Sequence, residues 1–408
     1  MILDIINKKR IGKELSYKEL ETIFNGYLNG TVADYQMSAL LMAICINEMT
    51  DEETFALTKI FIDSGDILDF SDLPGVKIDK HSTGGIGDKT TLVIVPIVAA
   101  CGGTVVKMSG RGLGYTGGTI DKLESIPGYR VDLSDDEIMK QVHDIGLVVT
   151  GQTADLVPMD KVIYALRDVT STVSSIPLIA SSIMSKKIAG GADKILIDIK
   201  VGKGALLNTK EDAKKLGDLM VRIGEYYNRE VRTIISDMNT PLGKTIGNSL
   251  EVLEAIDVLR GVEKENPFVD LCIELASNMV SMSFNISLKE AKEKVLESIR
   301  NKSAFHKFEE MVEAQGGNLS KVKVSNNVYF IKSPTNGVIK KIDALEFGKL
   351  SLKLGAGKEN MNDKIDYTVG IKLNKLVGDS VKKGDVLATI YYKKKVPEFD
   401  FDNIYKID

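Results

Sequence analysis

The sequence predicts an α/β protein: a small all-α domain, a larger α/β domain on a mixed or parallel sheet, and a C-terminal α+β, β-rich unit. Three observations carry this. The first ~65 residues have helical periodicity and no strand alternation. From Val76 onward, short apolar runs each end in a Gly-rich or polar loop and lead into a helical pattern. After about Ser333 the chain alternates with period two.

The elements follow in order. Ser16 with Glu19 forms a capping box ahead of Leu20, Ile23, Phe24 and Tyr27, and Thr50 with Glu53 forms another ahead of Leu57, Ile60 and Phe61. The runs Val76 to Asp79, Thr104 to Met108, Leu147 to Val149, Ile195 to Ile199 and Arg232 to Ile235 read as strands of a parallel sheet, in which ligands sit at the strands' C-terminal ends. Between the third and fourth runs, Pro158 to Gly190 is again helical. Its two helices are expected to rejoin the N-terminal helical unit, which places a cleft between the two units. The expected domains are therefore residues 1–66 with 158–190 (helical, on the base side and with the dimer contact), 70–157 with 191–330 (α/β, on the phosphate side), and 331–408 (β-rich). In the last of these, Gly337 to Ile342 and Val369 to Leu373 alternate, and turns at Gly378-Asp379 and Lys383-Gly384-Asp385 break the pattern.

With 408 residues and 43% hydrophobic content the chain exceeds one ordinary core and can line a deep cleft. Charged residues make up 27% and the formal net charge is −4, which excludes wholesale attraction to nucleic acid or an anionic membrane. Any bound anion must be caught locally. Cys45, Cys101 and Cys272 lie far apart in apolar surroundings, form no metal-ligand spacing, and read as buried thiols in a reducing cytoplasm. The N-terminus lacks the apolar run of a signal peptide and no stretch approaches the ~20 apolar residues of a membrane span, so a soluble, cytoplasmic protein is expected.

The stretch from Lys80 to Thr91, Lys-His-Ser-Thr-Gly-Gly-Ile-Gly-Asp-Lys-Thr-Thr, follows a strand and precedes the apolar run Leu92 to Ala100. Its glycines let backbone N–H groups turn inward, Lys80, Ser82 and Thr91 add a charge and hydroxyls, and a helix starting near Thr90 adds its positive end. Together they suit an oxyanion; the plain alternative is a tight strand-to-helix turn. It is not a Walker loop, because Asp88 stands where that motif needs glycine. A second loop, Lys107 to Thr119, follows the next strand. Gly112, Gly114 and Gly117 satisfy the dinucleotide fingerprint, with Asp132 beyond, but only a short helical stretch, Ile120 to Ser125, follows before Pro127-Gly128. A second phosphate-facing loop fits better.

In the helical insertion, Tyr164 and Arg167 lie three apart on one helix, and Ser182 and Lys186 four apart on the next. Two such helices can offer an aromatic ring, two cations and a hydroxyl to a small planar ligand with carbonyl groups. Equally, they can be surface cations beside one core tyrosine.

Several runs resemble signatures of the thymidine and pyrimidine-nucleoside phosphorylases: Asp79 to Gly85, Ser109 to Gly114, Thr116 to Ser125 and Tyr164 to Thr170. The similarity spans nearly the whole chain, which ends before a final helical segment that relatives have. The resemblance implies a homodimer that splits pyrimidine nucleosides (uridine, thymidine, deoxyuridine) with inorganic phosphate as co-substrate. It places phosphate on Lys80, His81, Ser82, Thr91, Lys107, Met108, Ser109 and Thr119. The pyrimidine falls to Tyr164, Arg167, Ser182 and Lys186, with His81, Arg167 and Lys186 as the catalytic set. Enzymes restricted to thymidine tend to carry Met at the position of Lys107, so Lys107 points to the broader substrate range. Relatives bind a potassium ion with oxygens matching Gly87, Leu242, Thr245 and Glu254, and offer a threonine where this chain has Lys89. A backbone carbonyl at Lys89 can still serve the ion, or the ammonium can replace it, so Lys89 is expected to weaken or remove the potassium requirement.

The alternatives are a thymidine-only phosphorylase and a phosphoribosyltransferase of the same architecture. The latter holds Mg²⁺-pyrophosphate with acidic pairs. Asp135-Asp136 is the candidate pair, although after Ser134 it reads equally as the acidic first turn of a helix.

Overall fold

The computed structural model describes every residue except Leu113, Ala154, Lys264, Glu265 and residues 360–362. Leu113, inside the second Gly-rich loop, thus lies outside the described residues. The chain begins with helices α1 (Ile2–Arg10), α2 (Tyr17–Leu28), α3 (Asp34–Asn47) and α4 (Asp51–Ile62). Both capping boxes form: Ser16 accepts from the Glu19 N–H while the Glu19 carboxylate accepts from Ser16, and Thr50 and Glu53 do the same.

The α/β part runs β1 (Lys77–Ser82), α5 (Thr90–Ala100), β2 (Thr104–Ser109), α6 (Thr119–Glu124), α7 (Asp135–Ile145), β3 (Leu147–Gly151), α8 (Pro158–Val169), α9 (Ile176–Ala189), β4 (Lys194–Val201), α10 (Lys210–Tyr226) and β5 (Glu230–Asp237). The five strands lie in the order β3-β2-β1-β4-β5, and β1–β2 and β2–β3 run parallel. Each sequence-expected strand is present. Most extend further, and β1 reaches three residues past Asp79 to Ser82, so the first residues of the Gly-rich stretch still belong to the sheet.

Then come β6 (Thr245–Ile246), α11 (Asn248–Leu259), α12 (Pro267–Phe284), α13 (Leu288–Arg300), α14 (Ser303–Ala314), β7 (Asn327–Lys332), β8 (Gly337–Ile342), α15 (Ala344–Leu354), β9 (Gly370–Leu373), β10 (Ser380–Val381), β11 (Val386–Tyr392), α16 (Phe401–Ile404) and β12 (Tyr405–Ile407). The C-terminal strands form two small sheets, β10-β8-β12 and β6-β9-β11-β7.

The chain divides into two compact units. One comprises residues 1–72, 152–197 and 209–233; the other comprises 73–151, 198–208 and 234–408. In the first, α9 is buried nearly all round and packs against α4 and α10. In the second, the more apolar α5 is enclosed by α11, α12, α13 and α14.

The compact units are drawn differently from the expected domains. Residues 209–233, assigned by sequence to the α/β domain, cluster with the helices because α10 packs on α9. Residues 331–408 cluster with the α/β part and pack closely on it. Strand β6 pairs antiparallel with β9, Asn248 Nδ2 donates to the Ala356 carbonyl at 2.8 Å, and Gly348 faces Ile86 so closely that a Cβ there would come within 2.4 Å of it. The thiols are also less hidden than expected: Cys272 is buried, but Cys45 and Cys101 keep partial exposure. Among the described residues, no single helix is long and apolar enough to cross a membrane.

Candidate active site

The first Gly-rich loop is built on the end of β1. Lys80 has no exposure; its Nζ donates to Thr90 Oγ1 at 2.6 Å and lies 3.5 Å from Asp198 Oδ2. Lys200, two residues along β4 from Asp198, brings its Nζ to 2.6 Å from the same carboxylate oxygen and 3.0 Å from Ser236 Oγ. Asp88 closes the group: it accepts from Ser82 Oγ and, at 2.7 Å, from Thr90 Oγ1. Burial alone would raise the Asp88 pKa, but the ammoniums of Lys200 and Lys80 and the hydroxyls of Ser82 and Thr90 outweigh it and hold the carboxyl well below its usual range. Two ammoniums thus face two carboxylates. An anion bound here would be held by directed donors, not by surplus charge. Thr91 lies in the first turn of α5, where the helix's free N–H groups and positive end are found.

The second loop leaves β2 beside β3, with Lys107, Met108 and Ser109 in register with Val149, Thr150 and Gly151. All three are buried. Lys107 Nζ lies 3.7 Å from Asp79 Oδ1 and 3.4 Å from the Met108 carbonyl. The Ser109 hydroxyl is buried with no hydrogen-bond partner among the described residues, as a group reserved for a ligand would be. Asp121 folds the loop by accepting from the Gly112 N–H at 2.6 Å and the Gly118 N–H at 3.2 Å. Thr119 opens α6, whose six residues are too few for the helix a dinucleotide fingerprint requires. His81 is half-buried on β1.

In the helical unit, Tyr164, Arg167, Ser182 and Lys186 come together. Pro158 starts α8 at a position where its missing N–H costs nothing. Lys186 Nζ donates to Asp160 Oδ2 at 2.6 Å and to Ser182 Oγ at 3.0 Å. The Tyr164 ring centre is 5.9 Å from Arg167 Cζ and 6.0 Å from Lys186 Nζ. The picture of surface cations around a core tyrosine is inverted: Arg167 is 1% exposed, whereas Tyr164 is 44% exposed. Burial pushes the Arg167 pKa down, with Asp160 and Tyr164 opposing, yet a guanidinium stays charged. Its Nε, Nη1 and Nη2 donate to the carbonyls of Thr172 (3.2 Å), Leu178 (3.2 Å) and Val173 (2.7 Å). These bonds fix the plane of the fork and the turn between α8 and α9.

The third cluster surrounds Lys89. Its Nζ lies 3.0 Å from the Gly87 carbonyl, 2.6 Å from that of Leu242, 3.0 Å from that of Thr245 and 2.9 Å from Glu254 Oε2. Glu254 in turn accepts from the N–H groups of Lys244 (2.7 Å) and Thr245 (2.9 Å). All five residues expected around a cation therefore meet.

Sequence reasoning missed Asp160, Asp198 and Lys200, and saw Asp88 only as an obstacle to a Walker loop. The signal was present for two of them: Asp198 and Lys200 are polar positions inside the otherwise apolar strand Ile195 to Val201. The pair Asp135-Asp136 sits in the capped first turn of α7 and is exposed, the ordinary place for acids at a helix start. His143 and His306 lie on the surface beside Asp144 and Glu309.

Comparison with known proteins agrees with this architecture. Residues 75–305 match the glycosyl transferase family a/b domain, residues 3–65 the helical bundle domain of the same family, and residues 338–405 the pyrimidine nucleoside phosphorylase C-terminal domain. These matches define an enzyme of glycosyltransferase type. The chain is 50% identical over 414 residues to the pyrimidine-nucleoside phosphorylase of Staphylococcus haemolyticus, covering 100% of this chain and 95% of that protein. It is 49% identical over 401 residues to that of Bacillus subtilis, covering 97% and 92%. The chain belongs to the pyrimidine-nucleoside phosphorylase family. Among solved structures, anthranilate phosphoribosyltransferase from Thermus thermophilus shares the fold, with a TM-score of 0.60 at 16% identity over 76% of this chain and 99% of that one.

Proposed function

We propose that this enzyme cleaves uridine, thymidine and deoxyuridine with inorganic phosphate, giving the free base and ribose or deoxyribose 1-phosphate. The observation that carries the reading is the α8–α9 cluster: an exposed tyrosine face with two cations about its ring and a hydroxyl on one of them. It suits a planar base with carbonyl oxygens that becomes an anion as it departs.

A phosphate oxygen attacks C1′ of the sugar while the bond from C1′ to the base N1 breaks. The sugar gains oxocarbenium character and the bonding electrons pass to the pyrimidine. Arg167 and Lys186 stabilise the charge where it develops. His81 donates a hydrogen bond or proton to the base O2, a role typically worth ~10²–10⁴ in rate. Phosphate is assigned to Lys80, His81, Ser82, Thr91, Lys107, Met108, Ser109 and Thr119. The unpartnered Ser109 hydroxyl and the first turn of α5 support that assignment. In this reading the enzyme works in the cytoplasm as a homodimer, the latter as the family resemblance implies.

The test is phosphate-dependent release of uracil from uridine beside thymine from thymidine. Activity on both is expected. Thymidine alone would support the narrow phosphorylase, and activity on neither would reopen the transferase reading. Lys107 is assigned to the breadth of substrate choice. Lys107→Met is expected to lower the ratio of kcat/KM for uridine to that for thymidine about tenfold, the scale of a modest change in pocket contacts. An unchanged ratio would remove Lys107 from that role.

A further inference from the structure

We infer that the Lys89 ammonium is this enzyme's built-in monovalent cation, occupying the oxygen cage that family resemblance assigns to potassium, so that the chain neither needs nor accepts the ion there. Three carbonyls and one carboxylate surround Nζ at 2.6–3.0 Å. They come from three segments: the loop before α5, residues 242–245 and α11. The ammonium has three protons to give, and every oxygen that would coordinate a cation already faces it. The side chain has no exposure, and the Phe268 ring closes one side, its centre 4.8 Å from Nζ.

The surrounding backbone is shaped to this fit. At Gly87 a Cβ would fall 2.8 Å from the Leu242 carbonyl, and at Gly243 a Cβ would fall 2.8 Å from Lys89 Nζ itself. Both glycines also have positive φ, +73° and +75°, where other residues are strained. Any larger residue at either position would push the cage walls apart. A potassium ion in the same oxygens would have to sit against a buried ammonium, and like charges in a poorly solvated space repel strongly. The residues present therefore do not fit a bound ion.

The exchange alters how the first phosphate loop is held. Lys89 is the residue immediately before α5, so its side chain ties the base of that loop to residues 242–245 and to Glu254. A free ion would hold these segments only at concentrations above its dissociation constant. A tethered ammonium is always at hand.

This inference rests on the family reading for the comparison with potassium but not on the reaction, and melting of the full chain tests it without substrate. The wild-type midpoint is measured in potassium chloride and in tetramethylammonium chloride at equal ionic strength, beside Lys89→Thr. Equal wild-type midpoints are expected, together with a Lys89→Thr midpoint that is low in tetramethylammonium and rises by roughly 5 °C in potassium. A wild-type midpoint that rises by a similar amount in potassium overturns the inference. So does a folded Lys89→Thr chain indifferent to the ion. Should that variant fail to fold in either salt, the wild-type pair alone decides. Under the proposed activity, wild-type rates in the two salts are expected to agree within a factor of about two.

Discussion

Replacing Arg167 with alanine is expected to lower turnover about 10³-fold, against about 10² for His81→Ala. The order follows from charge. In the proposed mechanism Arg167 supplies a full positive charge toward the departing base, whereas His81 supplies one hydrogen bond or proton. The structure adds a second expected effect, because the Arg167 fork also satisfies the carbonyls of Thr172, Val173 and Leu178. Leaving buried acceptors unpaired costs ~1–3 kcal/mol in stability. Arg167→Ala should therefore melt earlier as well as turn over more slowly, while His81→Ala, at a half-buried strand end, should lose less stability than Arg167→Ala. Steady-state kinetics and melting on the same preparations separate the two effects. A His81→Ala defect larger than that of Arg167→Ala would reverse the proposed division of roles.

The largest loss of stability is expected at Asp198→Ala. Asp198, Lys80 and Lys200 have no solvent exposure, and the carboxylate stands between the two ammoniums. Its removal strands buried positive charge, which typically costs ~3–5 kcal/mol. In a unit of this size the melting midpoint should fall by roughly 10 °C. Adding Lys200→Met in the same chain should restore part of the loss, since the second change removes the charge that the first left unpaired. A double variant less stable than Asp198→Ala, by the sum of the two single losses, would show that the groups do not act as a pair.

Much of the architecture is legible in the sequence because its signals are local. The Ser16 and Thr50 capping boxes, the apolar strands with their loops and the insertion at Pro158 all declare themselves within a few residues. What escapes is set by partners distant in the chain. The amphipathic α10 shows which face is buried but not that α9 covers it. A two-residue strand such as β6 has no periodicity to read, so nothing in Thr245-Ile246 announces that the C-terminal strands join it. The site divides the same way. Lys80, Ser182 and Lys186 stand out by type and spacing, whereas Ser109 enters only through the family resemblance. Asp160, by contrast, reads as a favourable charge in a helix's first turn, and only the folded chain shows it bonded to Lys186. Arg167 and Tyr164 were recognised as neighbours, but which of the two is hidden depends on the turn after α8, and helical spacing is silent about that.

The pairing of β6 with β9 sets an order of events during synthesis. The Leu242 and Thr245 carbonyls that receive Lys89 belong to a segment pinned by Lys372 against Thr245, by Ile371 against Ile246, and by the Leu373 N–H donating to the Lys244 carbonyl at 2.6 Å. Those residues leave the ribosome long after α5 and the first Gly-rich loop have been made. Chains generally fold from the N-terminal side as they emerge. The helical unit, whose last residue is 233, can therefore settle early, while the first Gly-rich loop belongs to a unit that runs to residue 408 and waits for a clasp that only a nearly complete polypeptide can close.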